Sequence, residues 1–225
     1  VVGYAGNTTG TITINKGTPT LTLTTTPSAS FTYNGTPIKV NYGISTYLNQ
    51  LSANFYLNKA LIATTAGSGN YISSAAAGTY AFVLNTTGNT NYTAASKNVT
   101  IAINKATPKM SLTSCGPQVY PYSCNTIASI STINNQLSAS LYKNNNLIGT
   151  TTTSLSDFVA NQIGYVAYTF NTLGNVNYTA LSLNANVSGY VPINIYYANS
   201  TSSEVHLTLT PTGITYTKYP CLLYT

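Results

Sequence analysis

Few residues in this chain can do chemistry. Its 225 residues include eight lysines, no arginine, two side-chain carboxylates (Asp157 and Glu204) and one histidine, His206. Glu204 and His206 stand two apart beside the alternating Val205, Leu207 and Leu209, so a strand would put them on one face. An acid and a base placed this way have no nucleophile or orienting group beside them, and an ordinary strand surface accounts for the pair. Asp157 lies in a serine-rich stretch and reads as a turn residue. A metal site would need more carboxylates or histidines, and a calcium loop several aspartates. The expectation is therefore no enzyme, no metal and no cofactor.

Two other kinds of chemistry remain. Cys115 and Cys124 flank Gly116-Pro117 and Pro121, and a local disulfide closing that loop is the simple reading. Cys221 is then left over, either unpaired or joined to another chain, and a swap with Cys115 or Cys124 stays open. The second kind is N-glycosylation. Acceptor sequons occur at Asn7, Asn34, Asn85, Asn91, Asn98, Asn177, Asn186 and Asn199. A chain this rich in Asn, Ser and Thr would carry about seven by composition, so their number proves nothing. Position says more, because Asn91 and Asn177 hold the same place in a repeat described below.

Only 4% of residues are charged, against about 25% in an ordinary soluble domain. Glycans would supply the missing solubility. The net charge of +6 is spread over Lys16, Lys39, Lys59, Lys97, Lys105, Lys109, Lys143 and Lys218 without clustering. With no arginine to grip phosphate, nucleic acid is excluded as a partner. No apolar run approaches about 18 residues, so no membrane-spanning helix is expected. A chain with two carboxylates also has almost nothing to protonate in acid, and its stability should change little from neutral to strongly acid pH. An acidic or hot habitat would suit it, and the lack of arginine with the Thr, Tyr, Asn and Ile bias has an archaeal cast.

The elements that carry these residues repeat. Asn49-Gln50-Leu51-Ser52-Ala53 returns as Asn135-Gln136-Leu137-Ser138-Ala139, and Gly88-Asn89-Thr90-Asn91-Tyr92-Thr93-Ala94 as Gly174-Asn175-Val176-Asn177-Tyr178-Thr179-Ala180, both at an offset of 86. Lys16-Gly17-Thr18-Pro19 and Lys105-Ala106-Thr107-Pro108 lie 89 apart, so three residues are missing in between. On that longer offset Cys115 and Cys124 align with Thr26 and Gly35. Period-2 alternation marks strands at Leu21 and Leu23, at Ile38 to Ile44, at Phe55 and Leu57, at 61–63, at Tyr80 to Leu84 and at Val99 to Ile103. Turn residues gather at 34–37, 58–59, 67–70 and 87–89. Tyr80 and Tyr168 read as core or cross-strand contacts, and Tyr196-Tyr197 as a candidate contact pair. About seven short strands in about 90 residues is the pattern of an immunoglobulin-like sandwich.

The fold class expected is all-β: residues 1–16 as an orphan strand, module 1 over 17–105, module 2 over 106–190, and a β tail over 191–225 that packs on module 2 or a neighbour. Asn-Lys-x-Thr-Pro at 15–19 and 104–108, Phe31-Thr32-Tyr33-Asn34-Gly35-Thr36-Pro37, Ala77-Gly78-Thr79-Tyr80 and the two Gly-Asn-x-Asn-Tyr-Thr-Ala phrases resemble the immunoglobulin-like repeats of secreted bacterial and archaeal surface proteins. The resemblance covers about residues 11–190. It implies fold and an extracellular, cell-surface setting, and leaves activity open, because such modules serve as spacers, adhesins and filament subunits alike.

The orphan strand carries the functional expectation. Thr11-Ile12-Thr13-Ile14-Asn15-Lys16 matches Thr100-Ile101-Ala102-Ile103-Asn104-Lys105, the last strand of module 1, yet only ten residues stand before it. A last strand without its module suits donation to another copy, giving an extracellular, glycosylated, pilus-like homopolymer. The weakly patterned last strand of module 2 (Leu181, Leu183, Ala185, Val187) and a groove left by the tail are its candidate acceptors. This reading resembles the donor-strand filaments of archaeal or bacterial cells. The alternatives are a stretch of a larger tandem-repeat adhesin or surface-layer protein and, third, a carbohydrate-binding module.

Overall fold

Two-residue turns with left-handed backbone organise the strands. Asn58-Lys59 (φ 48° and 71°) and Asn144-Asn145 (φ 48° and 66°) close equivalent hairpins, where positive φ at both positions matches the strand twist and favours Asn. Asn58 Oδ1 and Asn144 Oδ1 then accept the amides of Ala81 and Ala167, each 2.9 Å away, tying each hairpin to the next strand.

The computed structural model describes residues 10–74 and 76–191 fully, and the backbone of 203–210 and 213–220. Module 1 comprises β1 (Thr20–Thr26), β2 (Phe31–Thr32), β3 (Lys39–Ser45), β4 (Ala53–Leu57), β5 (Ala60–Thr65), β6 (Ser68–Ile72), β7 (Gly78–Thr86) and β8 (Ala95–Asn104). Module 2 comprises β9 (Lys109–Thr113), β10 (Gly116–Val119), β11 (Ser123–Ser131), β12 (Ala139–Lys143), β13 (Asn146–Thr151), β14 (Ser154–Ala160), β15 (Gly164–Thr172) and β16 (Leu181–Tyr190). The sheets are β1-β3-β6 with β2-β8-β7-β4-β5, and β9-β11-β14 with β10-β16-β15-β12-β13. The chain is thus all-β, with two immunoglobulin-like sandwiches of one topology. The tail contributes β17 (Ser203–Thr210) and β18 (Gly213–Pro220), an antiparallel pair forming a sheet of two. No helix among the described residues is long and apolar enough to cross a membrane.

Alternate side chains of each strand meet between the sheets. Val40, Tyr42 and Ile44 of β3 face Phe55, Phe82, Leu84, Ile101 and Ile103, all buried. Tyr42 stacks on Phe55 at 4.2 Å between ring centroids, and Phe55 on Phe82 at 6.1 Å. The equivalent positions in module 2 hold Ala128, Leu141 and Tyr168, also buried.

The structure corrects four expectations. Gly67 to Asn70 is not merely a turn: Ser68–Ile72 is a strand paired with β3, in the register Tyr42↔Gly69. Asp157 is not in a loop but in β14, opposite Thr126. The last strand of module 2 is complete, since β16 pairs with β15 from Thr172↔Leu181 to Gly164↔Gly189. Cys124 matches Ile38 rather than Gly35, because Thr126↔Asp157 in module 2 stands where Val40↔Tyr71 stands in module 1. The three-residue deletion therefore falls between Cys115 and Cys124, which are bonded to each other nine residues apart with Cα atoms 5.9 Å apart.

Candidate assembly interface

Each module has a head, formed by the short 3₁₀ turn after the third strand and the Gly-Asn-x-Asn-Tyr corner before the last. Backbone demand explains the corner's sequence. Gly88 and Gly174 adopt φ of 76° and 75°, and a Cβ on either would come within 2.5 Å of a carbonyl oxygen, that of Tyr92 or Tyr178. Asn89 Oδ1 accepts the amides of Asn91 and Tyr92, and its Nδ2 donates to Gln50 O. Asn175 does the same with Asn177, Tyr178 and Gln136 O. The phenols of Tyr92 and Tyr178 accept the amides of Tyr47 and Ile133, holding the 3₁₀ turn to the corner.

The chain enters both modules beside this corner in one way. Lys16 Nζ donates to Asn89 O at 2.8 Å, Gly17 N to Asn91 O and Thr93 N to Gly17 O. Lys105 Nζ donates to Asn175 O at 2.7 Å, Ala106 N to Asn177 O and Thr179 N to Ala106 O. The repeated lysine is thus an anchor that aims the strand before it.

What precedes the two anchors differs. Before Lys105 lies β8, paired along its length with β7. Before Lys16 lie Thr11, Ile12, Thr13, Ile14 and Asn15, which pair with nothing among the described residues. Ile12 is 87% exposed and Ile14 90%, although their equivalents Ile101 and Ile103 are buried core.

The head of module 2 is covered by the foot of module 1. The Tyr33 phenol donates to Gln136 Oε1 at 3.0 Å, and its ring meets Tyr178 edge-on at 5.5 Å. The amide of Ala77 donates to Asn177 Oδ1 at 2.9 Å. Gly35 lies against Ile133, whose methyl would be 3.4 Å from a Cβ there. Gln136 and Asn177 serve twice, since Asn177 Nδ2 also donates to Gln136 Oε1.

The other sequence candidates are dispersed. Asn34, Asn91, Asn98 and Asn186 are exposed, while Asn85 and Asn177 are half-buried. Asn177 has its whole amide engaged at the junction, and Asn186 Nδ2 donates to the Tyr165 phenol. Asn7, Asn199, Cys221 and the Tyr196-Tyr197 pair lie outside the described residues. Glu204 and His206 fall in β17, opposite Tyr219 and Thr217. Asp157 Oδ2 accepts from Lys143 Nζ at 2.9 Å and from the Tyr168 phenol at 2.5 Å. Burial pushes the Asp157 carboxyl up, but these two donors more than offset it and hold the group below its ordinary value. Burial and the neighbouring carboxylate push the Tyr168 phenol up. Among the described residues no three His, Cys, Asp or Glu side chains gather as a metal site would require. Sequence reasoning missed Gln136 and Tyr33 as junction residues; the available signal was the polar Gln kept inside both copies of Asn-Gln-Leu-Ser-Ala.

No protein-family model matches the chain, and no curated protein matches it. Solved structures that match include the fibronectin(III)-like modules of Clostridium thermocellum CbhA, at 12% identity over 80% of this chain and 100% of that one, with a TM-score of 0.29. Another is the central fibronectin-III array of RIM-binding protein, at 12% identity over 92% of this chain and 80% of that one, with a TM-score of 0.26. A third is the Parabacteroides merdae β-glucuronidase, at 8% identity over 76% of this chain, which spans 25% of the enzyme's length, with a TM-score of 0.29. Likenesses this distant carry no argument about activity or partners.

Proposed function

We propose that this chain is a structural, non-enzymatic subunit of an extracellular, glycosylated filament, joined head to tail by donation of residues 11–16 to a second copy. One observation carries the reading: a segment with the sequence of a core strand is anchored at Lys16 and Gly17 yet leaves Ile12 and Ile14 in solvent. Burying two isoleucines in an acceptor sheet would contribute roughly 3–6 kcal/mol before ordering costs. Module 2 offers no vacant place for such a strand, because β16 already fills it between β10 and β15. The acceptor we assign is the β17–β18 sheet of the next copy, which has two strands among the described residues, since a two-stranded hairpin is at best marginally stable and gains by taking further strands. Donor and acceptor lie on different parts of the chain, so the contact is head to tail and builds an open polymer wherever its rotation does not close a ring. Glycans at exposed sequons such as Asn34, Asn91 and Asn98 would keep a surface this poor in charge soluble.

The second reading, a stretch of a longer tandem-repeat surface protein, is favoured by the identical anchoring of Lys16-Gly17 and Lys105-Ala106. Deleting residues 1–16 separates the two. Loss of filaments by electron microscopy, with soluble monomer remaining, supports donation between copies; filaments that persist refute it.

A further inference from the structure

The outer faces of the two five-stranded sheets are built alike but furnished differently. In module 1 a row of side chains crosses the face from Tyr56 on β4 to Val83 on β7 and Asn98 on β8. In module 2 the same row holds Tyr142, Thr169 and Asn184 on β12, β15 and β16. There Thr169 Oγ1 donates to Asn184 Oδ1 at 2.9 Å, so a polar pair closes the row. In module 1 valine takes the threonine's place and leaves the exposed Asn98 without that partner. Beside it lies a groove of about 550 Å³ lined by Tyr56, Asn58, Lys59, Ala81, Val83 and Asn85. Its floor of Tyr56, Ala81 and Val83 is half-buried, with Lys59 and Asn85 adding polar groups. Asn98-Val99-Thr100 is a sequon, whereas Asn184-Ala185-Asn186 is not.

We infer that Asn98 is the glycan acceptor of this face and that the first sugars of its glycan lie in the groove over Val83 and Tyr56. This rests on the glycosylated part of the reading above, not on strand donation. N-glycosylation joins sugar C1 to the amide nitrogen: an Nδ2–C1 bond forms, the C1–O bond of a glycosyl phosphate donor breaks, and the leaving phosphate takes the electron pair while Nδ2 gives up one proton. Nδ2 must therefore be accessible and uncommitted. Asn98 meets both needs on an exposed strand position. Asn85, the other sequon on this face, is half-buried in the row between Asn54 and Ser96. On module 2's face the sequon has moved to Asn186, whose Nδ2 donates to the Tyr165 phenol at 3.1 Å. Neighbouring strands lie about 4.8 Å apart, so Tyr56 is about 10 Å along the row from Asn98, within reach of the asparagine side chain and a sugar or two. A pyranose offers a face of C–H groups and a rim of hydroxyls. A tyrosine ring beside valine and alanine, with Lys59 and Asn85 at its edge, complements both.

The test is glycopeptide mass spectrometry of the full chain purified from the cells that make it, with thermal melts of Tyr56→Thr, Asn98→Gln and the double variant made in the same cells. Asn98 is expected to carry sugar. Tyr56→Thr is expected to lower the module 1 Tm by about 4 °C more when Asn98 is intact than in the Asn98→Gln chain. Sugar on Asn98 with strictly additive effects of the two substitutions overturns the seat in the groove. A bare Asn98 in a chain glycosylated at other sequons overturns the whole inference and leaves the glycosylated subunit standing. A chain with no sugar at any sequon overturns both. None of these outcomes turns on whether residues 11–16 join copies, which their deletion tests separately.

Discussion

At Tyr42 the two modules solve one packing problem in opposite ways. The Tyr42 ring lies over Gly69, where a Cβ would come within 2.6 Å of Tyr42 Cζ. The equivalent pair in module 2 is Ala128↔Leu155, small on the first strand and large on the second. Gly69→Ala is expected to cost about 1–3 kcal/mol by overpacking and Tyr42→Ala about 3–5 kcal/mol by leaving a cavity. The double variant Tyr42→Ala/Gly69→Leu, which borrows module 2's pair, should be more stable than Tyr42→Ala alone in urea denaturation. This pairing was hidden in the sequence. Gly67-Ser68-Gly69 carries the local signal of a turn, and only the ring across the sheet reveals that Gly69 is a strand residue making room. Asp157 belongs to the same scale. Its folded carboxyl lies below the ordinary 3.8, so the stability it contributes is present above the unfolded value and lost as pH falls through the folded one. Circular dichroism melts should be flat from neutral pH to about pH 4 and fall shallowly below, and Asp157→Asn should remove most of that fall.

Among the elements, legibility followed alternation. β3, β7 and β8 place an apolar residue at every second position and could be read directly. β10 could not: Gly116-Pro117-Gln118-Val119 has no such pattern, and it exists because it pairs in parallel with the C-terminal end of β16. The same fact explains β16, whose inward residues are small in part (Ala185 and Gly189) and which is held by partners on both edges. The disulfide beside β10 compensates for the shortened loop. Replacing it, as Cys115→Ser/Cys124→Val, is expected to lower the stability of module 2 by about 2–3 kcal/mol. Calorimetry should show that loss in one of two transitions, with the module 1 transition unmoved. Valine suits position 124 because its module 1 counterpart is the buried Ile38.

For the whole molecule, the repeat announced two modules but not how they join. Gln136 accepts from both the Tyr33 phenol and Asn177 Nδ2, so it ties the foot of module 1 to the head of module 2. Gln136→Ala should leave each module's Tm nearly unchanged and broaden the inter-module distances seen by small-angle scattering. The likeness of residues 11–16 to β8 was legible because they copy a phrase whose place was already known; the junction was not, because a repeat cannot tell which of two equivalent surfaces is covered. The disulfide has a further consequence for a chain pulled from its two ends. Tension entering at Ala106 peels β9 and reaches Cys115, where it crosses the S–S bond directly to Cys124 and β11. The residues of β10 are bypassed and never extend. In single-molecule stretching, module 2 should therefore release about 25 Å less contour length than it does once reduced, the ~31 Å spanned by nine residues less the 5.9 Å between the bridged Cα atoms, whereas module 1, with no such bypass, should give one length in either condition.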